Sequence, residues 1–273
     1  MASISLEFFP PKTADQQTQF QRSLPKFIAM QPEYVSVTFG AGGSTLSYTP
    51  ETVKKLMAEG VATAPHLSCM GGTREEIAAL LDTYRALGCR RVVALRGDLP
   101  SGMARAGDLR YASELVAFIR SHSGEHFRIE VGCYPEVHPQ AEDARADLRH
   151  FKAKIDAGAN GAITQYFFNA DGYFRFVKEV HGLGLQVPIV PGIMPISNFN
   201  QLRRFSEQCG AEIPRWIVRR MQAYGDDAAS IRSLGADVVA SLCRRLLEGG
   251  APGLHIYTLN RAKATQAVIE RLD

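Results

Sequence analysis

Short apolar runs alternate with longer amphipathic stretches along the whole chain, about eight times over its 273 residues. This rhythm constrains the fold more than any single residue does. A short run of four to eight apolar residues reads as a strand buried on both faces. A longer stretch with apolar residues at helical spacing reads as a helix packed on one side. The spacing predicts strands at Ile4–Phe9, Tyr34–Phe39, Thr63–Ser68, Arg91–Leu95, Arg128–Gly132, Gly161–Gln165, Pro188–Gly192 and Leu254–Tyr257. Between them it predicts helices such as Arg74–Leu87, Ala112–Ser121, Ala141–Ala157 and Gly172–Leu183. Thr73 followed by Arg74-Glu75-Glu76 has the form of a capped helix start. Gly88 and Gly158 fall where helices should stop.

Eight βα units in one chain of this length have the size of a TIM (β/α)8 barrel. A doubly wound open sheet is the rival architecture. Neither a composition break nor a low-complexity linker divides the chain, so residues 1–273 read as a single domain. Extra helical material is expected before the last strand, at Phe199–Cys209, Pro214–Ala223 and Asp227–Glu248.

Composition narrows the function classes. Hydrophobic residues make up 45% and charged residues 22%, as in a soluble globular protein. A net charge of +3 is too small to argue for nucleic acid. No apolar stretch is long enough to cross a bilayer, and no secretory signal is apparent. The five scattered cysteines form no C-x-x-C pair, which points away from structural zinc and disulfides and towards a reducing cytoplasm.

A barrel gathers its chemistry just beyond the C-terminal ends of its strands. Polar residues stand there in number: Glu7, Thr38, His66 with Ser68, Arg96-Gly97-Asp98, Tyr134 with Glu136 and His138, Thr164-Gln165-Tyr166, and Tyr257 with Asn260 and Arg261. Glu7 is the most telling. It lies in the apolar run Ile4-Ser5-Leu6-Glu7-Phe8-Phe9, which Pro10-Pro11 ends. It is either a strand-end acid in the site, its proton favoured by neighbours such as Phe8 and Phe9, or an edge glutamate facing water. The glycines at 40, 42 and 43 do not form a dinucleotide-binding fingerprint. His66, His138 and His255 are possible metal ligands with no local motif to support them, so no metal is expected. No predicted strand carries a lysine, which disfavours Schiff-base chemistry.

Taken in order, these segments are identifiable. Ser5-Leu6-Glu7-Phe8-Phe9-Pro10-Pro11, Val35-Ser36-Val37-Thr38-Phe39-Gly40-Ala41-Gly42-Gly43, Ala64-Pro65-His66-Leu67-Ser68-Cys69, Ala94-Leu95-Arg96-Gly97-Asp98-Leu99-Pro100, Tyr134-Pro135-Glu136-Val137-His138-Pro139, Ile163-Thr164-Gln165-Tyr166-Phe167-Phe168 and Tyr257-Thr258-Leu259-Asn260-Arg261-Ala262 resemble the methylenetetrahydrofolate reductases. The resemblance runs over nearly the whole chain. It implies a barrel that carries FAD and reduces 5,10-methylenetetrahydrofolate to 5-methyltetrahydrofolate, with NADH or NADPH as donor in a ping-pong reaction.

The resemblance also assigns roles. Glu7 becomes the general acid and Asp98 the carboxylate that stabilises cationic substrate. Thr38, His66, Arg96, Gly97, Asp98, Tyr134, His138, Asp147, His150 and Lys154 become FAD contacts. Gln165, Gln201, Phe205 and Arg261 become folate contacts, with Phe205 preferred to Phe199 as the stacking ring. His150 and Ala153 depart from the Asn and Arg of bacterial members, at the grip on the FAD phosphates and adenosine. Bacterial relatives imply a homo-oligomer. The chain ends just after its last helix, so no regulatory domain that binds S-adenosylmethionine is expected. The alternatives are a non-catalytic folate- or flavin-binding relative, or another TIM-barrel enzyme.

Overall fold

The structure is a computed structural model that describes residues 3–39, 48–69, 72–97 and 107–272. The described residues form nine parallel strands and ten helices, which alternate except at β7-β8 and α7-α8-α9. The strands are β1 (Ser3–Phe8), β2 (Tyr34–Val37), β3 (Thr63–Ser68), β4 (Arg91–Leu95), β5 (Arg128–Cys133), β6 (Gly161–Thr164), β7 (Ile189–Val190), β8 (Gly192–Ile193) and β9 (Gly253–Tyr257). Their order is β7-β6-β5-β4-β3-β2-β1-β9-β8.

The two ends of that list are one broken strand. β7 pairs with β6, β8 pairs with β9, and only Pro191 lies between them. Proline has no N–H to give to a ladder, so the expected continuous strand over Pro188–Gly192 splits there. The halves nevertheless close the ring. Ala162 N donates to the Pro188 carbonyl at 2.9 Å, and His255 N donates to the Pro191 carbonyl at 3.0 Å. The result is the TIM barrel that the sequence rhythm implied, with eight staves.

The helices are α1 (Ala14–Ile28), α2 (Tyr48–Ala58), α3 (Arg74–Ala86), α4 (Ala112–Ser123), α5 (Ala144–Asp156), α6 (Ala170–Gly182), α7 (Phe199–Cys209), α8 (Arg215–Ala223), α9 (Ala228–Glu248) and α10 (Ala262–Ile269). The Thr73 hydroxyl accepts from Glu76 N, and the Glu76 carboxylate accepts from Thr73 N, which completes the expected cap of α3. α5 starts at Ala144 rather than Ala141, because the Asp143 carboxylate caps it by accepting from Ala146 N at 2.7 Å. Asn169 likewise starts α6 two residues ahead of Gly172. α7, α8 and α9 are the extra helical material expected before the last strand. Among the described residues, no helix is long and apolar enough to cross a membrane.

Successive side chains on a strand face opposite sides, and here that rule separates two cores. Leu6 and Phe8 point outwards to the helices, where the Phe8 ring meets Phe20 at 5.2 Å and Phe27 at 4.8 Å. Glu7 points the other way, into the barrel. The expectation that Phe8 shields Glu7 is therefore wrong, and Phe9 is itself exposed. Inside the barrel, Tyr34, Ala64, Val93 and Ile163 form a small apolar layer.

Charged groups close the N-terminal mouth below that layer. Glu130, only 3% exposed, lies 2.7 Å from Arg128 and 3.7 Å from Arg91. Arg91 also pairs with Glu33 at 2.7 Å and sits 3.9 Å over the Tyr34 ring. A hydrogen bond from the Ser3 hydroxyl, followed by Arg91, holds the Glu33 carboxyl below its ordinary 4.5 against the opposing pull of burial. A depressed carboxylate stabilises the fold above its unfolded pKa, and that stability fades as pH falls through the folded value. Glu33→Gln is thus expected to lower Tm at pH 7 and to flatten the acid side of the Tm–pH curve, so that the two proteins converge below about pH 4.5. An unaltered acid limb would contradict this.

Candidate active site

The C-terminal ends of the strands surround an open cavity of about 720 Å³. Glu7, Thr38, His66, Tyr134, His138 and Gln165 reach it from β1 to β6 and the segments that follow them. Phe205 reaches it from α7. These seven expected site residues therefore share one chamber.

Glu7 meets two imidazoles there. Its Oε2 lies 3.4 Å from His66 Nε2 and 3.6 Å from His255 Nε2. Both histidines are buried. Burial lowers the His66 pKa to about 4, with the Glu7 charge opposing the shift and His255 adding to it. His66 is therefore a neutral imidazole at pH 7. The His255 Nδ1 lies 2.7 Å from the Ser5 hydroxyl, and its Nε2 is 3.5 Å from that of Ser36. Tyr257 sits beside this group and donates its hydroxyl to the Thr164 carbonyl at 2.6 Å. Burial first, then the Glu7 charge, raises the Tyr257 phenol well above its ordinary range. Gly192 lets that tyrosine pass, since a Cβ there would stand 2.6 Å from its ring and 2.1 Å from the Thr164 carbonyl.

Among the described residues of the chamber, Thr38 Oγ1 is buried without a hydrogen-bond partner, while His66 Nε2 faces the Glu7 carboxylate alone. An unpartnered buried hydroxyl is rare and costly in a folded protein, so it points to a place for a bound group.

Other expected residues stand around the chamber. The Asp147 carboxylate accepts from His138 N at 2.9 Å, and His138 Nδ1 accepts from Gln140 N at 3.0 Å. With Nδ1 accepting, the imidazole proton sits on Nε2. Arg96 donates to the Gln140 side chain, and Gln140 lines the cavity. Gly97 takes a φ of +83°, a left-handed conformation that glycine tolerates. Lys154 donates to the Gly132 carbonyl at 2.6 Å, and burial lowers its pKa against the charges of Cys133 and Asp147.

Arg96, Gly97, Asp147 and Lys154 do not line the cavity themselves, and neither do His150, Gln201 and Arg261. His150 is exposed on α5. Gln201 is held by its backbone, which donates to Asn198 at 2.8 Å. Arg261 is the residue just before α10 rather than in its first turn, and it donates to the Ser197 hydroxyl at 2.7 Å. Asp98 lies outside the described residues, as does the run Gly40-Ala41-Gly42-Gly43. No group of three or more His, Cys, Asp or Glu among the described residues is arranged to hold a metal ion.

The sequence reading passed over the partnership of Ser5, His255 and Tyr257 with Glu7. Its signal was available in the alternation of β1 and β9, which places Ser5 with Glu7, and His255 with Tyr257, on inward faces. Lys12 and Cys209 also line the cavity, and no sequence pattern singled them out.

The family model described as Methylenetetrahydrofolate reductase matches residues 1–273. The 5,10-methylenetetrahydrofolate reductase of Escherichia coli (strain K12) is 38% identical over 271 residues, covering 99% of this chain and 90% of the relative. Methylenetetrahydrofolate reductase (NADH) 1 of Arabidopsis thaliana is 34% identical, and the match spans 99% of this chain and 48% of that protein. Among solved structures, an uncharacterized Clostridium thermocellum protein that binds two copies of 5-methyl-5,6,7,8-tetrahydrofolic acid superposes with a TM-score of 0.69. Its identity is 17%, with 99% of this chain and 96% of that one covered, so it speaks for the barrel alone. With a family model that spans the full sequence and curated relatives that align almost end to end, the chain belongs to the methylenetetrahydrofolate reductase family of folate oxidoreductases.

Proposed function

We propose that this protein reduces 5,10-methylenetetrahydrofolate to 5-methyltetrahydrofolate, with NADH or NADPH as electron donor and FAD as the resident carrier. The observation that supports this most is Glu7, an acid that faces two buried imidazoles in a chamber that also holds the unpartnered Thr38 hydroxyl. Thr38 Oγ1 fits a flavin ring, whose rim of carbonyls and nitrogens offers matching partners, and His66 stands beside it. His138, Tyr134, Arg96, Gly97, Asp147, His150 and Lys154 complete the set that would hold the rest of the cofactor. Bound FAD supplies the redox chemistry, taking hydride from the nicotinamide and passing it to the folate.

The chain itself supplies a proton. The substrate's five-membered ring opens only when N10 is protonated, and opening leaves a cationic 5-iminium that can accept hydride. Glu7 is the general acid for that step. Its Oε2 is turned to the imidazoles of His66 and His255, which leaves Oε1 to carry the proton to N10. The Ser5 hydroxyl lies 2.7 Å from His255 Nδ1 and 3.4 Å from the Leu254 carbonyl. In the tautomer that carries its proton on Nε2, His255 faces the carboxylate that forms as Glu7 gives up its proton. That interaction strengthens as charge develops, which is what lowers a barrier.

Gln165 accepts from Tyr166 N through its Oε1 at 2.9 Å, so its NH2 remains to donate to folate or nicotinamide. Phe205 offers a ring face for stacking. Asp98 has the role of a carboxylate near the cationic substrate, and Gln201 and Arg261 that of contacts for the folate tail. The purified protein is expected to be yellow, with FAD released on denaturation. A colourless protein that added FAD does not reconstitute would overturn the cofactor assignment.

A further inference from the structure

α7 brings Phe205, Gln208 and Cys209 to the cavity wall. Its buried face consists of Phe199, Leu202 and Ser206. Ser206 is the polar member of that face, and its hydroxyl lies 3.0 Å from the hydroxyl of Tyr166. Both residues are buried. Two hydroxyls taken out of water are tolerated when each serves the other; the Tyr166 phenol also meets the Cys209 thiol of the same helix, so the loss of the Tyr166 hydroxyl frees both partners.

Tyr166 directly follows β6 and Gln165, so this bond ties the barrel rim to the helix that carries Phe205. Phe199 and Leu202 seat the helix in the main apolar core. Beyond its C-terminus, Glu212 N donates to the Glu136 carboxylate at 2.9 Å. There Gly210 turns with a φ of +76°, so close to Pro139 that a Cβ would stand 2.8 Å from the proline ring. Before its N-terminus, Ser197 accepts from Arg261. Loops thus pin both ends, and the Tyr166–Ser206 bond adds a polar tie in the last turn, next to Phe205.

We propose that the Tyr166–Ser206 hydrogen bond latches α7 over the cavity, which makes Tyr166 a positioning residue for Phe205 and so for folate binding. This rests on the reading of Phe205 as the stacking face of the folate site. When the docked helix is the binding-competent form, the apparent affinity falls with the docked fraction, while bound substrate reacts at its usual rate.

Tyr166→Phe removes one oxygen and keeps the ring, and Ser206→Ala removes the partner if the first variant folds poorly. Steady-state kinetics per mole of bound flavin should show each variant raising the KM for methylenetetrahydrofolate by about 3- to 10-fold, as loss of one buried neutral hydrogen bond allows. kcat should stay within about 2-fold, and the double variant should be no worse than Tyr166→Phe alone, because that change already removes the bond to Ser206. Unchanged KM in both singles, or losses that add, would overturn the latch, as would a lower Tm with KM intact. Phe205→Ala, measured alongside, separates the two readings. If it raises KM and Tyr166→Phe does not, the latch fails alone. If Phe205→Ala leaves KM unchanged, the stacking role fails and the latch falls with it.

Discussion

Glu7→Gln is expected to cut folate reduction by about 10²- to 10⁴-fold, the range over which a positioned acid contributes, while flavin reduction by NADH or NADPH continues nearly unchanged. The substitution keeps the size and most of the hydrogen bonding of the side chain but removes its acidic proton. The nicotinamide already carries its hydride at a reactive carbon and needs no proton on N10, so that half-reaction has no use for Glu7. Rapid-mixing experiments on each half-reaction separate the two. Equal losses in both would make Glu7 a structural residue that shapes the chamber, and an unimpaired folate half-reaction would remove it from the chemistry. The geometry favours the selective outcome because Glu7 faces His66 and His255 in the chamber rather than the aromatic core that Phe8 enters.

Glu130→Gln is expected to have the largest effect on stability, a loss of about 3 kcal/mol. Glu130 is buried and is approached by two guanidinium groups, of Arg128 at 2.7 Å and Arg91 at 3.7 Å. Removing its charge leaves those cations facing each other at the closed mouth of the barrel. Arg91 retains Glu33, and the Arg128 side chain is 42% exposed, so the loss falls at the lower end of the range for a broken buried pair. A urea titration should show a lower midpoint with an unchanged slope. The activity of the folded fraction should be retained, because Glu130 belongs to the end of the barrel opposite the cavity. A midpoint equal to that of the parent protein would mean that the ionic cluster contributes nothing net.

The sequence made some features of this molecule visible and concealed others. Period-2 and period-3.6 patterns are local, so the strands and seven of the helices could be placed to within a few residues, and the eightfold rhythm implied closure. Pro191 shows where such reading stops. Proline in an apolar run signals a break, but whether the two halves still belong to one stave depends on pairing with β6 on one side and β9 on the other. Glu7 teaches a second lesson. Sequence neighbours such as Phe8 suggested an apolar setting, yet strand alternation sends Phe8 to the opposite face. The true neighbours, His66 and His255, come from strands distant in the chain and meet only when the barrel closes. The latch between Tyr166 and Ser206 lies further still beyond sequence patterns, since it joins two residues that each read as ordinary members of their elements.

The central claim is that one chamber serves two half-reactions through FAD, with Glu7 as the acid of the second. The most direct test is anaerobic titration of the purified holoenzyme. NADH or NADPH should bleach the flavin absorbance, and subsequent 5,10-methylenetetrahydrofolate should restore it with formation of an equimolar amount of 5-methyltetrahydrofolate. A flavin that neither nucleotide bleaches, or one that stays bleached when the folate is added, would contradict the account.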